Sequence, residues 1–197
     1  MKNLKLLVLS LIVLFFNSTN AQVFTTGTLN QAIPPGGTTA TCYPITVSGL
    51  GNINGTFGVA SVCMNIQHTW VGDLRISLVA PDGTSVLLVQ DDASNSGVDF
   101  SGTCFTATAT APISATVLAP FTGDFLAVQN LGSVNNGQNG NGVWTLCVLD
   151  TYDPSDDGTM LDWSITFNNT PAPPPSPTAN IDEPCNAFTL TPNTTCT

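Results

Sequence analysis

HTWVGDLRISLVAPDGTSVLLV, residues His68–Val89, is the stretch that decides the fold. Leu74, Ile76 and Leu78 alternate with Arg75 and Ser77, the period of two of a strand with one buried face. Pro81-Asp82-Gly83 is a turn, with proline presetting φ and glycine relieving the close of the bend. SVLLVQ at 85–90 then reads as a returning strand. The same stretch holds the only histidine of the chain, His68, and the only arginine, Arg75, with Asp73 just beyond the histidine. A lone His near an Asp invites a hydrolase reading, so the stretch must be weighed both as a sheet corner and as a site.

Outside this stretch the period of two persists. Tyr43, Ile45 and Val47 alternate with polar neighbours, as do Val62, Met64 and Ile66, then Trp144, Leu146 and Val148, then Leu161, Trp163, Ile165 and Phe167. No amphipathic helix follows the first 21 residues. Many short strands separated by Gly and Asn turns predict an all-β fold, a jelly-roll-like antiparallel β-sandwich. Trp144 and Trp163 fall on inward parity and are expected in the core; Trp70 is the tryptophan expected at the surface.

Residues 1–21 have the pattern of a secretory signal peptide: Lys2 and Lys5, an apolar run from Leu6 to Phe16, and small or polar residues ending at Ala21. Residues 22–40 form a polar lead-in with a Pro-Pro-Gly-Gly turn, and 41–168 the sandwich domain. Residues 169–179 are a Pro-rich linker around TPAPPPSPT, expected to lie extended. Residues 180–197 are expected to open a second module, as in a fragment of a longer secreted protein. After cleavage at Ala21, one arginine stands against 13 acids, a formal charge of −12. Such a surface repels phosphate and anionic headgroups, which excludes nucleic acid as a partner. No membrane span is expected after the leader. The expected location is extracellular or cell-surface, and the expected partners are neighbouring domains of a longer protein, with a surface polysaccharide or protein as a further class.

Six cysteines, Cys42, Cys63, Cys104, Cys147, Cys185 and Cys196, suit disulfides in an exported chain. Cys185 and Cys196 are expected to pair with each other. The other four allow three connectivities, of which Cys63–Cys104 with Cys42–Cys147 is favoured. Catalytic motifs fare poorly. There is no Gly-x-Ser-x-Gly elbow, and His68 continues the inward series Val62, Met64, Ile66, so a buried, backbone-satisfied imidazole is expected. No pair of carboxylates stands out for glycoside hydrolysis. Two acidic loops do stand out, Asp91, Asp92 and Asp99 in one, and Asp150, Asp153, Asp156 and Asp157 in the other. With Asp73 they are candidate Ca²⁺ ligands, hard oxygens without the EF-hand spacing.

The residues His68, Thr69, Gly72, Asp73, Leu74, Pro81, Gly83 and Thr84, followed by Gly142, Trp144, Leu146, Gly158, Thr159, Leu161 and Trp163, resemble the P domain, also called the P/Homo B domain. That module follows the catalytic domain of kexin- and furin-like, subtilisin-type proprotein convertases and recurs in secreted bacterial proteases and multidomain surface proteins. Met160 is a one-residue departure inside the usual Gly-Thr-Leu. The resemblance spans about residues 62–167. It implies a jelly-roll sandwich without catalytic residues, an accessory module that stabilises a neighbouring subtilisin-like serine endopeptidase. The signal peptide directly before the domain leaves no room for a protease between them. The alternative function is an adhesive or ligand-binding module of a cell-surface protein.

Overall fold

The computed structural model describes residues 21–114, 117–152 and 157–176. Residues 1–20 of the leader, Asp153, Asp156 and the Cys185–Cys196 pairing lie outside them. Ten strands run in chain order: β1 (Gln22–Thr25), β2 (Gln31–Ile33), β3 (Thr41–Val47), β4 (Gly58–His68), β5 (Leu74–Val79), β6 (Ser85–Val89), β7 (Phe100–Thr106), β8 (Phe121–Phe125), β9 (Gly142–Asp150) and β10 (Gly158–Asn168). They form two stacked sheets. One has the order β1-β10-β4-β7-β8, with β2 also on β10; the other has the order β3-β9-β5-β6. The fold is an all-β, jelly-roll-like sandwich. Pairing is antiparallel among the described strands, except that β8 joins β7 in parallel.

The alternation seen in the sequence is what closes the sandwich. Along β4, Val62, Met64, Ile66 and His68 are all buried, and along β9 so are Trp144, Leu146, Val148 and Asp150. Side chains two residues apart share a face, so one strand lays a continuous row against the opposite sheet. Trp144 and Trp163 are fully buried, and their indole N–H groups are satisfied. Trp144 donates to the Gly140 carbonyl at 3.0 Å. Trp163, on β10, donates across the core to the Tyr43 carbonyl on β3 at 3.0 Å, a hydrogen bond between sheets. Trp144 meets Phe167 edge to face across the same gap, with ring centroids 5.5 Å apart. Each indole buries on the order of 200 Å², roughly 5 kcal/mol of transfer free energy before ordering entropy is set against it.

Two local results go beyond the periodicity. The segment 22–40, expected as a lead-in, supplies β1 and β2, which pair with β10. These strands are too short to carry an alternation signal. The Met160 departure coincides with a register slip: Met160 faces Ile66 and Asp162 faces Asn65, so one extra residue is taken up as a β-bulge. Asn65 spans that irregularity, donating to Asp162 at 2.8 Å and accepting from the Gly102 N–H at 2.6 Å.

Cys42 faces Cys147 in the β3–β9 register, and Cys63 faces Cys104 in the β4–β7 register. Both pairs are disulfides, with Cα–Cα separations of 4.0 Å. They lie on the outer faces, on the parity opposite to the core. The bridges close spans of 105 and 41 residues. Replacing either pair by alanines is expected to lower unfolding free energy by about 2–4 kcal/mol. From spans of 105 and 41, the Cys42–Cys147 loss should be larger by roughly 0.8 kcal/mol if unfolded-chain entropy dominates. Urea titration of the two double variants checks the order.

Candidate functional site

His68 is the last residue of β4 and stands opposite Gly158, the first of β10. A Cβ at position 158 would lie 2.5 Å from the imidazole Cδ2, so glycine is what leaves the ring its place. The chain then passes Thr69 and Trp70, makes a 3-10 turn over Val71–Asp73 and enters β5 in the other sheet. His68 is thus at the corner where the chain crosses between layers.

The imidazole is completely enclosed. Its Nε2 lies 3.1 Å from Asp150 Oδ2, and both side chains are shielded from solvent. The other Asp150 oxygen accepts the Tyr152 N–H at 3.0 Å. On the far side of the ring, Nδ1 is 2.8 Å from the Trp70 carbonyl and 3.1 Å from the Trp70 N–H. With Nε2 protonated, Nε2–H donates to Asp150 and Nδ1 accepts the Trp70 N–H, so both nitrogens have partners; a proton on Nδ1 as well would be donated to the Trp70 carbonyl. The His68 N–H also donates to Asp99 Oδ1 at 2.9 Å.

From this corner, backbone bonds gather four loops. Val71 N–H reaches Gly97 O at 3.0 Å, and Asp92 N–H reaches Gly72 O at 2.8 Å. Thr151 N–H reaches Asp73 O at 2.9 Å, and Phe121 N–H reaches Asp99 O at 3.1 Å. The sequence had suggested Asp73 as the carboxylate near the histidine. The carboxylate on the ring is Asp150, and parity carried the signal: it continues the inward series Trp144, Leu146, Val148.

A nucleophilic triad needs a hydroxyl or thiol on the base nitrogen that the carboxylate leaves open. Here that nitrogen is held by the Trp70 backbone. The candidate calcium ligands are spread over different tasks. Asp91 accepts from Arg75 Nε at 2.7 Å and from Gln90 Nε2. Asp92 accepts the Ser94 hydroxyl at 2.6 Å and the Ser94 N–H at 2.9 Å. Those two bonds, the hydroxyl first, hold its carboxyl below the usual carboxylate range. Asp99 and Asp150 serve the histidine corner. Asp73 ends the 3-10 turn, its carbonyl also taking the Thr151 hydroxyl at 2.9 Å. Asp157 is exposed just before β10. Among the described residues, no three His, Cys, Asp or Glu side chains are grouped to hold a metal ion. Trp70 and Tyr152 are 39% and 53% exposed, so the aromatic surface of this end belongs to them and not to the buried Trp144 and Trp163.

Residues 58–167, from the start of β4 to the end of β10, match the proprotein convertase P-domain. The chain belongs to that family. Among curated relatives, the transglutaminase-activating metalloprotease of Streptomyces mobaraensis is 34% identical over 151 residues, which are 77% of this chain and 16% of that protein. Leupeptin-inactivating enzyme 1 of Streptomyces exfoliatus is 33% identical over 141 residues, 71% of this chain and 25% of that protein. The chain therefore spans a quarter or less of these relatives. Among solved structures, the serine protease of Aeromonas sobria is similar with a TM-score of 0.46 and 15% identity, over 76% of this chain and 26% of that one. In this P domain no helix of the described residues is long and apolar enough to cross a membrane.

The motif residues acquire physical roles from this geometry. His68 and Gly158 build the corner, Gly72 and Asp73 form the crossing turn, and Trp144 and Trp163 fill the core. Asp150→Ala is expected to cost about 3–5 kcal/mol, because it strands a buried polar ring. His68→Ala should cost a similar amount. The double variant is expected to fall well short of the sum, which urea unfolding of the four-member cycle measures.

Proposed function

We propose that this P domain is a secreted, non-catalytic accessory module that packs beside a peptidase domain and stabilises it. The observation that carries the reading is the sealed histidine. The one imidazole has both nitrogens engaged inside the protein and no solvent exposure, so it is not presented to a substrate. Family membership and protease relatives support the association with peptidases. Purified residues 22–197 are expected to leave casein and dibasic fluorogenic peptides uncut. Turnover that disappears in His68→Ala would overturn the proposal.

A second reading is favoured by the exposed aromatics. Trp70 and Tyr152 flank the bonds Asp73 N–H to Trp70 O and Thr151 N–H to Asp73 O, which brings two exposed rings to one end of the sandwich. That arrangement suits an adhesive module that recognises polysaccharide or protein. Loss of binding in Trp70→Ala with an unchanged melting temperature would favour it over the accessory role.

Calcium is proposed as a stabilising ion for the same end, on the strength of ligand chemistry. Backbone bonds from Asp92 N–H to Gly72 O and from Thr151 N–H to Asp73 O tie the two acidic segments to the 3-10 turn that carries Asp73, which supports the reading. With a Kd near ~10 μM at ~1 mM Ca²⁺, the native state would gain about 2.7 kcal/mol. The melting temperature should then rise by several degrees. Thermal melts with calcium and with chelator, repeated on Asp157→Asn, check this. Coincident melts with no binding heat would reduce these aspartates to turn residues.

A further inference from the structure

The proline-rich stretch does not begin as a free linker. Ala172 is 1% exposed, less than many residues of the strands. Its N–H donates to the Val59 carbonyl at 2.8 Å, and its own carbonyl accepts Asn135 Nδ2 at 2.8 Å. Asn135 is likewise 1% exposed. Its side-chain amide behaves as an inserted peptide unit. Oδ1 accepts the Val59 N–H at 2.8 Å, and Nδ2 donates to the Val59 carbonyl at 3.0 Å. All three bonds that fasten Ala172 and Val59 to Asn135 involve main-chain atoms of the partner, so the seat reads backbone and a small residue, not a particular side chain.

The seat has been cleared for this segment. Gly132 lies in the 3-10 turn Leu131–Val134, which Asn130 caps through a 2.8 Å bond to the Gly132 N–H. A Cβ at Gly132 would stand 1.8 Å from the Pro173 carbonyl oxygen and 2.7 Å from that of Ala172. Backbone occupies the space where a side chain would be. Pro174 in turn lies against Gly55.

We propose that Asn135 is the latch of a C-terminal strap, residues 170–174, and that the strap fixes the point and direction at which the chain leaves the sandwich. Pro171, Pro173, Pro174 and Pro175 restrict φ along the strap and just beyond it. A segment of this composition extends by about 3.1 Å per residue and stays stiff over several residues. Held at one end by the latch, it acts as a strut. Whatever follows is then oriented relative to β4 and the Leu131–Val134 turn, where a tether starting at Asn169 would leave it free to swing.

The test uses the ¹⁵N-labelled secreted chain. In a segment of prolines, the Ala172 amide is the reporter inside the seat and Ser176 the reporter beyond it. In the wild type, Ala172 should exchange with solvent at least ~100-fold more slowly than Ser176. The heteronuclear NOE of Ser176 should approach sheet values. Gly132→Ala, which evicts the strap while leaving the Asn135 side chain in place, should speed Ala172 exchange by ~10-fold or more and lower the Ser176 NOE, with Met64 in β4 unchanged. Asn135→Ala should do the same if it folds. Ala172 exchanging as fast as Ser176, a random-coil NOE at Ser176 in the wild type, or no response to Gly132→Ala would each overturn the proposal.

Discussion

The contact on which the loop end of the sandwich depends is the enclosed pair His68–Asp150. One partner ends a strand of the larger sheet, the other ends a strand of the smaller sheet, and their side chains meet in the space between. Leaving either group without the other would bury an unpaired polar function, at a cost comparable to a large share of a domain's net stability. The chain avoids that cost through arrangement. Gly158 makes room for the ring, Trp70 offers it both a carbonyl and an N–H, and Asp99 takes the backbone N–H of the histidine itself. Loops that would otherwise be independent thereby share one fixed point. Constellations that look catalytic in a sequence have this second use: a histidine and an aspartate can be a structural clasp when both nitrogens of the ring are already committed.

The opposite requirement, filling the apolar interior without orphaning an indole N–H, is met by both tryptophans. Both are large enough to reach across the gap between sheets, and each brings an N–H that must be satisfied there. Trp163 resolves this by donating to the backbone of the facing sheet. Burial and sheet-to-sheet registry then come from the same side chain. Asn65 and Asn135 play a related part at the places where the ladder is irregular or a segment joins from outside. Short amides replace missing peptide partners, which suits a chain with very few charged side chains.

Much of this was legible in the sequence because the period of two is a direct consequence of strand geometry. Val62, Met64, Ile66 and His68 could be placed inward before any coordinates, and the two cysteine pairs fall directly opposite each other in the observed registers. What was not legible depended on distance. Asp73 is near His68 in sequence, and Asp150 is not, yet Asp150 is the partner; the chain separation hid what parity already implied. β1 and β2 are too short for periodicity to stand out. The parallel β8 has an exposed middle, Thr122 to Asp124, so its hydrophobic pattern reduces to two phenylalanines. Ala172 was hidden for another reason. Proline composition predicts extended chain but says nothing about whether that chain is seated.

Arg75 is the only lysine or arginine among the described residues, and it is placed in the middle of the smaller sheet. Its strand, β5, is flanked by β9 on one side and β6 on the other. An enzyme that cleaves after basic residues must draw some residues of extended backbone into its cleft. Among the described residues the single bond of that kind is already committed to a ladder, and its side chain is held by Asp91. The sandwich is in this way a poor substrate for peptidases that require lysine or arginine, and the scarcity of cations that sets its charge also protects it from them.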